Sequence, residues 1–137
     1  MNRNQIEAFT ARWLASICSG NVAEFADLVA PQTLDTLTGR VVTRAAFQER
    51  AQAVFEAFEA LEGRVDELLV DGLRIAWRWT LSGRQRAPFL GEQNRGRLIS
   101  LKGVNLQRLE AGVVAEHFTL LDVRGALAQL RRGSSVV

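Results

Sequence analysis

Arg97-Leu-Ile-Ser-Leu-Lys-Gly-Val-Asn-Leu-Gln-Arg-Leu109 and Val113-Val-Ala-Glu-His-Phe-Thr-Leu-Leu-Asp122 are two long β-type runs separated by Glu110-Ala-Gly112. A short loop ending in glycine suits a hairpin whose last loop residue takes a positive φ, which glycine adopts at least cost. If Leu109 faces Val113, then Asn105 faces His117 and Gly103 faces Thr119. Side chains alternate along a strand, so these residues share one face with Leu101 and Leu121. Val104, Leu106, Phe118 and Leu120 take the other. Both faces are substantially apolar, whereas a sheet wetted on one side alternates more cleanly. Helices and a pocket are expected on one face and a second copy of the chain on the other.

Upstream of the hairpin the period changes. Ile6, Phe9, Trp13 and Ile17 recur at helical spacing, predicting a helix from about Asn4 to Cys18 that stops at Ser19-Gly20. Asn21, with Glu24 three residues on, is placed to cap a second helix carrying Phe25, Leu28 and Val29, ended by Pro31. Residues 32–42 form a short irregular or strand-like stretch. Thr43 caps a third helix to about Ala60, with Phe47, Ala51, Val54, Phe55 and Phe58 as its buried stripe. After Gly63 the period becomes two. Residues 64–70 and 73–82 are strands joined by Asp71-Gly72, which sets Asp66 opposite Trp77 and puts Leu73, Ile75, Trp77, Trp79 and Leu81 on one face. Residues 83–96 are a loop or short edge strand. Asp122 caps a last short helix, and the tail from about residue 131 is expected to be loose.

Three helices, a mostly antiparallel sheet and a small helix make an α+β layout, with the helices on one face of the sheet. The 137 residues allow one domain, 1–137, with one core. A curved sheet closed by helices leaves a cavity between the layers, a natural small-molecule site. The net charge of +2, spread over arginines matched by acids, gives no basic stripe for nucleic acid. No apolar run approaches the ~20 residues of a membrane span, and the first residues lack a signal-peptide core. The lone Cys18 excludes an internal disulfide and is read as a small, buried apolar residue. A reducing cytoplasm is therefore the expected compartment.

Ala76-Trp-Arg-Trp-Thr-Leu-Ser-Gly83, Phe89-Leu-Gly91, Gly96-Arg97, Arg108-Leu-Glu-Ala-Gly112, Glu116-His-Phe118 and Asp122, in this order, resemble the SnoaL-like polyketide cyclase group of the nuclear transport factor 2-like superfamily. The resemblance implies a cone-shaped α+β fold, dimerisation through the sheet and a buried pocket for an apolar ligand. It also implies cofactor-free acid/base chemistry, such as aldol ring closure. The sequence departs from the group at three places. Cyclases resemble Glu-His-Trp-Asp at the final strand, the aspartate being the acid/base; here Thr119 stands in that place. Asn105 stands where a cyclase has a histidine on the neighbouring strand, and Gln85 where members often have one after the Ser-Gly pair. A threonine hydroxyl cannot accept a proton near neutral pH as a carboxylate can.

His117, the one histidine, is the candidate catalytic acid or base, with Asn105 and Thr119 as ligand-positioning groups. Trp13, Trp77 and Trp79 are the candidate aromatic lining, with indole N–H donors. Asp35 and Asp66 are further carboxylates within reach of a cavity; a buried Asp66 would have a raised pKa. One histidine and one cysteine, far apart, give no metal cluster, and no cofactor is expected. Two classes of function follow. One is a cofactor-independent cyclase, isomerase or lyase for a small apolar carbonyl compound. The other is a non-catalytic ligand-binding or interaction module on the same fold, which Thr119 favours.

Overall fold

The computed structural model describes residues 1–93 and 96–132. Its elements are α1 (Arg3–Ser19), α2 (Val22–Ala26), β1 (Val29–Asp35), β2 (Arg40–Thr43), α3 (Arg44–Ala57), β3 (Phe58–Asp71), β4 (Arg74–Gln85), β5 (Leu98–Glu110), β6 (Val113–Leu121) and α4 (Val123–Arg131). The strands form one curved six-stranded sheet in the order β2-β1-β6-β5-β4-β3. All pairs are antiparallel except β1 with β6.

Local chemistry sets the helix ends. The Asn2 carboxamide accepts from the Gln5 N–H while Gln5 reaches back to the Asn2 N–H, closing both ends of a capping box. Gly20 ends α1 at φ 72, and a Cβ there would lie 2.7 Å from the Phe55 ring, so the turn needs glycine for both its backbone and its space. Asn21, Thr43 and Asp122 cap the other three helices through their side-chain oxygens. Along α1 and α3, Ile6, Phe9, Trp13, Leu14, Phe47 and Ala51 turn inward onto Ile75, Trp77, Leu81, Leu101 and Leu109 of the sheet. On α4, Ala126 and Leu130 are buried, and Gln129 bonds both the N–H and the C=O of Ser100 on β5.

Several expectations are corrected. The second helix stops at Ala26, and Val29 to Asp35 is a strand; Leu28 and Val29 are buried as expected, but at the head of that strand. Pro31, which cannot donate to a ladder, lies where the β1–β6 register is irregular. Residues 32–42 contribute to two paired strands. The third helix ends at Ala57, and Phe58 opens β3. The loop after β3 is Gly72-Leu73 with Gly72 at φ 62, so Asp71 pairs Arg74 and Leu68, in place of Asp66, faces Trp77. Glycine at the first loop position fits the turn type that tolerates an ordinary residue second. β4 extends to Gln85, whose amide donates to the Ala87 and Glu92 carbonyls and organises the start of the following loop. Residues 94 and 95 of that loop lie outside the described residues, as do tail residues 133–137. Arg131 itself ends α4 and pairs Glu92 at 2.7 Å.

The central hairpin also differs in register. The structure pairs Asn105 with Thr119, Gln107 with His117 and Leu109 with Val114, with a register shift next to Arg108. The offset from the expected register is two residues over most of the hairpin, so the faces of Asn105, His117 and Thr119 are unchanged and only their partners move. Near the loop the shift brings Val114, rather than Val113, into the core.

Candidate functional site

Three pairs at spacing two meet on the inner face of neighbouring strands: Trp77 and Trp79 on β4, Asn105 and Gln107 on β5, His117 and Thr119 on β6. They connect in two parallel chains. The Trp77 indole donates to Gln107 Oε1 at 2.9 Å, and Gln107 Nε2 lies 3.1 Å from His117 Nδ1. The Trp79 indole donates to Asn105 Oδ1 at 3.0 Å, and the Thr119 hydroxyl donates to the same oxygen at 2.7 Å. Each indole reaches diagonally, because Trp77 is in register with Asn105 and Trp79 with Gly103. A Cβ at position 103 would fall 2.2 Å from the Trp79 ring, so this close approach requires glycine.

Above the second chain is a cavity of about 170 Å³ lined by Trp13, Phe47, Trp79, Asn105, His117 and Thr119, with Leu14, Ile17, Phe25, Arg50, Ala51, Val54 and Leu81 completing it. A hollow of roughly 150 Å³ takes one benzene ring. Trp13 stacks on the His117 imidazole at 5.5 Å and 29°, and Phe47 meets the same ring edge-on at 5.2 Å. The imidazole is pinned by the stack, the edge contact and Gln107. Burial pushes its pKa down from 6.5 to about 4; the Asp35 carboxylate pulls it up and the Arg50 guanidinium pushes it further down. His117 Nε2 and Asn105 Nδ2 have no protein partner among the described residues, yet neither is fully enclosed by protein. Both side chains line the cavity, so these polar atoms are available to a ligand there.

The structure thus brings together Trp13, Trp79, Asn105, His117 and Thr119. Trp77 is not in the cavity: it is buried in the core, 1% exposed, beneath Gln107. Asp35 is buried, but its carboxylate accepts from the Leu37 and Thr38 N–H groups of the β1–β2 turn. Asp66 lies on the edge strand β3, outside the cavity lining; the Thr80 hydroxyl and Arg64 hold its carboxyl below the usual range, the reverse of the rise expected for a buried aspartate. Cys18 is half-buried with its thiol pKa raised by burial, as an unreactive packing residue requires. Gln107 was absent from the sequence-derived candidates. Its spacing of two from Asn105, matching Trp77-Arg-Trp79 and His117-Phe-Thr119, is the signal that marks it. A larger groove of about 950 Å³ runs between α1 and β3, but three of its four acids, Glu7, Asp66 and Glu67, are each paired with an arginine and no aromatic ring lines it. Among the described residues no group of three or more histidines, cysteines and acids could hold a metal ion. No helix among them is long and apolar enough to cross a membrane.

A family model described as SnoaL-like polyketide cyclase matches residues 8–130. The chain belongs to the SnoaL-like polyketide cyclase family. Among solved structures it is similar to TsrD from Streptomyces laurentii, with a TM-score of 0.85 and 24% identity over 96% of this chain and 98% of that one. It is also similar to IdmH from Streptomyces antibioticus, proposed there as a polyketide cyclase (TM-score 0.75, 23% identity, 90% and 96% covered). A chain from Catenulispora acidiphila with a ketosteroid isomerase-like fold superposes at a TM-score of 0.68 and 14% identity, covering 89% of this chain and 91% of that one. At these identities the likeness is one of fold, and it agrees with the α+β cone expected of a SnoaL-like chain. No curated protein sequence matches significantly.

Proposed function

We propose that this SnoaL-like protein binds a small, largely apolar carbonyl compound in the cavity and promotes its cyclisation or isomerisation without a cofactor. The observation that carries this reading is an aromatic hollow lined also by Asn105 and His117, whose Nδ2 and Nε2 have no protein partner among the described residues. Trp13, Phe47 and Trp79 hold the apolar body, and Thr119 keeps lone pairs free because its proton is committed to Asn105. The volume of about 170 Å³ admits one ring-sized portion of a ligand. A panel of one-ring ketones and aromatic carbonyl compounds should therefore raise the thermal midpoint, and the corresponding ring-matched hydrocarbons should raise it less. Asn105→Ala should weaken carbonyl binding about tenfold, the worth of one good hydrogen bond. Equal affinity of the variant and the native chain would remove Asn105 from the site.

One observation favours a second reading. The cavity lining among the described residues contains no carboxylate, and Thr119 stands where a cyclase carries its acid/base. A non-catalytic ligand-binding module is the alternative, and stabilisation by the panel without turnover of any member would select it.

We also propose that a second copy covers the outer sheet face. There Leu106 pairs Phe118, Val104 pairs Leu120 and Ala76 pairs Leu106, forming an apolar centre with Leu106 and Leu120 about half exposed at 49% and 51%. Such a patch on a sheet face supports association. The mass in solution should be about twice the chain's 15.2 kDa, and a monomeric mass at micromolar concentration would contradict the dimer.

A further inference from the structure

We infer that Gln107 is a positioning residue that, held by the Trp77 indole, fixes His117 as the neutral Nε2–H tautomer, so that the imidazole offers the ligand a hydrogen-bond donor and takes an acceptor oxygen opposite it. The argument begins at the buried end of the chain. An indole N–H can only donate, so the Gln107 atom 2.9 Å from it is the carboxamide oxygen. The reverse orientation would set N–H against NH₂ where both groups are buried, leaving two donors unmet. The Gln107 NH₂ therefore faces His117 Nδ1 at 3.1 Å. An NH₂ group can only donate, so Nδ1 must present its lone pair and the ring proton of the neutral imidazole is on Nε2. A protonated ring would oppose N–H to NH₂ across the same contact.

The second chain obeys the same logic. The Trp79 indole and the Thr119 hydroxyl both donate to Asn105 Oδ1, which turns the Asn105 NH₂ away from them and toward the cavity. Asn105 and His117 both line the hollow, so neighbouring strands offer it two neutral donors. Preorganised donors of this kind suit an oxygen that is, or becomes, electron-rich: a carbonyl, enolate or phenolate oxygen. The part of the inference that names the ligand group rests on the cavity being the ligand site; the tautomer does not. His117 then polarises an oxygen and does not itself withdraw a proton, in place of the acid-or-base role expected from sequence; a proton that the activated carbonyl compound releases passes to solvent water. The charged groups near the ring are Asp35 of β1 and Arg50 of α3. Trp13 of α1, Phe47 of α3 and Gln107 of β5, packed against it, are uncharged.

Because His117 is the sole histidine, its imidazole nitrogens can be assigned directly in the full chain by long-range ¹H–¹⁵N correlation. The expected result is the Nε2–H pattern, unchanged from pH 8 to pH 5.5. An Nδ1–H pattern, or a ring titrating near its ordinary value, would overturn the inference. Gln107→Glu replaces the donor at Nδ1 by a carboxylate, so the ring should take up a proton there and its midpoint should rise by about one to three pH units. An unchanged midpoint in that variant would count against the role of Gln107. If Gln107→Glu does not fold, Trp77→Phe tests the same link: with the indole N–H gone the amide is free to turn, and mixed tautomers should replace the single one. A pure Nε2–H pattern in Trp77→Phe would overturn the part given to Trp77. Failure of every carbonyl compound to bind, beside an intact Nε2–H pattern, would sink the proposed ligand and leave the tautomer standing.

Discussion

Trp13→Ala is expected to lower the free energy of unfolding by about 3–5 kcal/mol, the cost of emptying a well-packed aromatic site in a core. Trp13 is only 4% exposed and joins the helical layer to the sheet. Its ring meets Phe25 edge-on at 4.7 Å, Phe9 at 6.2 Å and Phe47 at 6.4 Å, and stacks on His117 at 5.5 Å. Four rings converge on this one, so its removal leaves a gap that they fill only in part, and the cavity term adds to the lost transfer energy. Against a total stability of about 5–15 kcal/mol this is a large fraction. Urea unfolding followed by circular dichroism measures it, and a loss below about 1 kcal/mol would mean that Trp13 does not tie the layers together. The same substitution should enlarge the cavity beside His117. A ring-sized apolar additive should then restore part of the loss, about 2.7 kcal/mol at a hundred times its dissociation constant.

The layout of the fold was legible because helical spacing dominates before Gly63 and alternation after it, and because Asn21, Thr43 and Asp122 have capping chemistry where helices begin. Sheet faces were legible for a similar reason. Alternation fixes which side chains share a face, and an offset of two residues preserves it. Registers were not legible, because they depend on irregularities that carry little sequence signal. The bulge beside Arg108 and the choice of Gly72-Leu73 over Asp71-Gly72 each move partners without disturbing the apolar pattern. Gln107 was lost through that offset: in the expected register His117 faced Asn105, and the amide that touches its ring was assigned no role. Trp77 and Trp79 looked equivalent on one strand face, and only the position of the helices separates a core indole from a cavity wall. Pro31 reads as a helix stop, and the chain uses it at a register fault inside a strand.

Acidification should destabilise the protein through His117. The folded-state pKa is about 4, against 6.5 for the free side chain. Between these values the unfolded chain binds a proton that the folded chain refuses, so stability rises with pH across the interval. The contribution is fully present above about pH 6.5, is lost progressively as the pH falls toward about 4, and levels off below that, when both states are protonated. One pH unit of difference is worth about 1.4 kcal/mol, so the total is on the order of 3 kcal/mol. The physical source is a ring enclosed by Trp13, Phe47 and Gln107, with Arg50 adding repulsion and Asp35 partly offsetting it. Asp66, held low by Thr80 and Arg64, acts in the same direction at lower pH, its stabilisation being lost as the pH falls through its depressed folded-state pKa. It is present with and without the imidazole, so it cancels in a comparison. Unfolding free energies of the native chain and of His117→Phe, measured at half-unit steps from pH 7.5 to 4, should diverge in slope, the native chain losing roughly 3 kcal/mol more over the interval. Parallel curves would mean that the ring is hydrated in the folded state, and the enclosed donor site would fall with it.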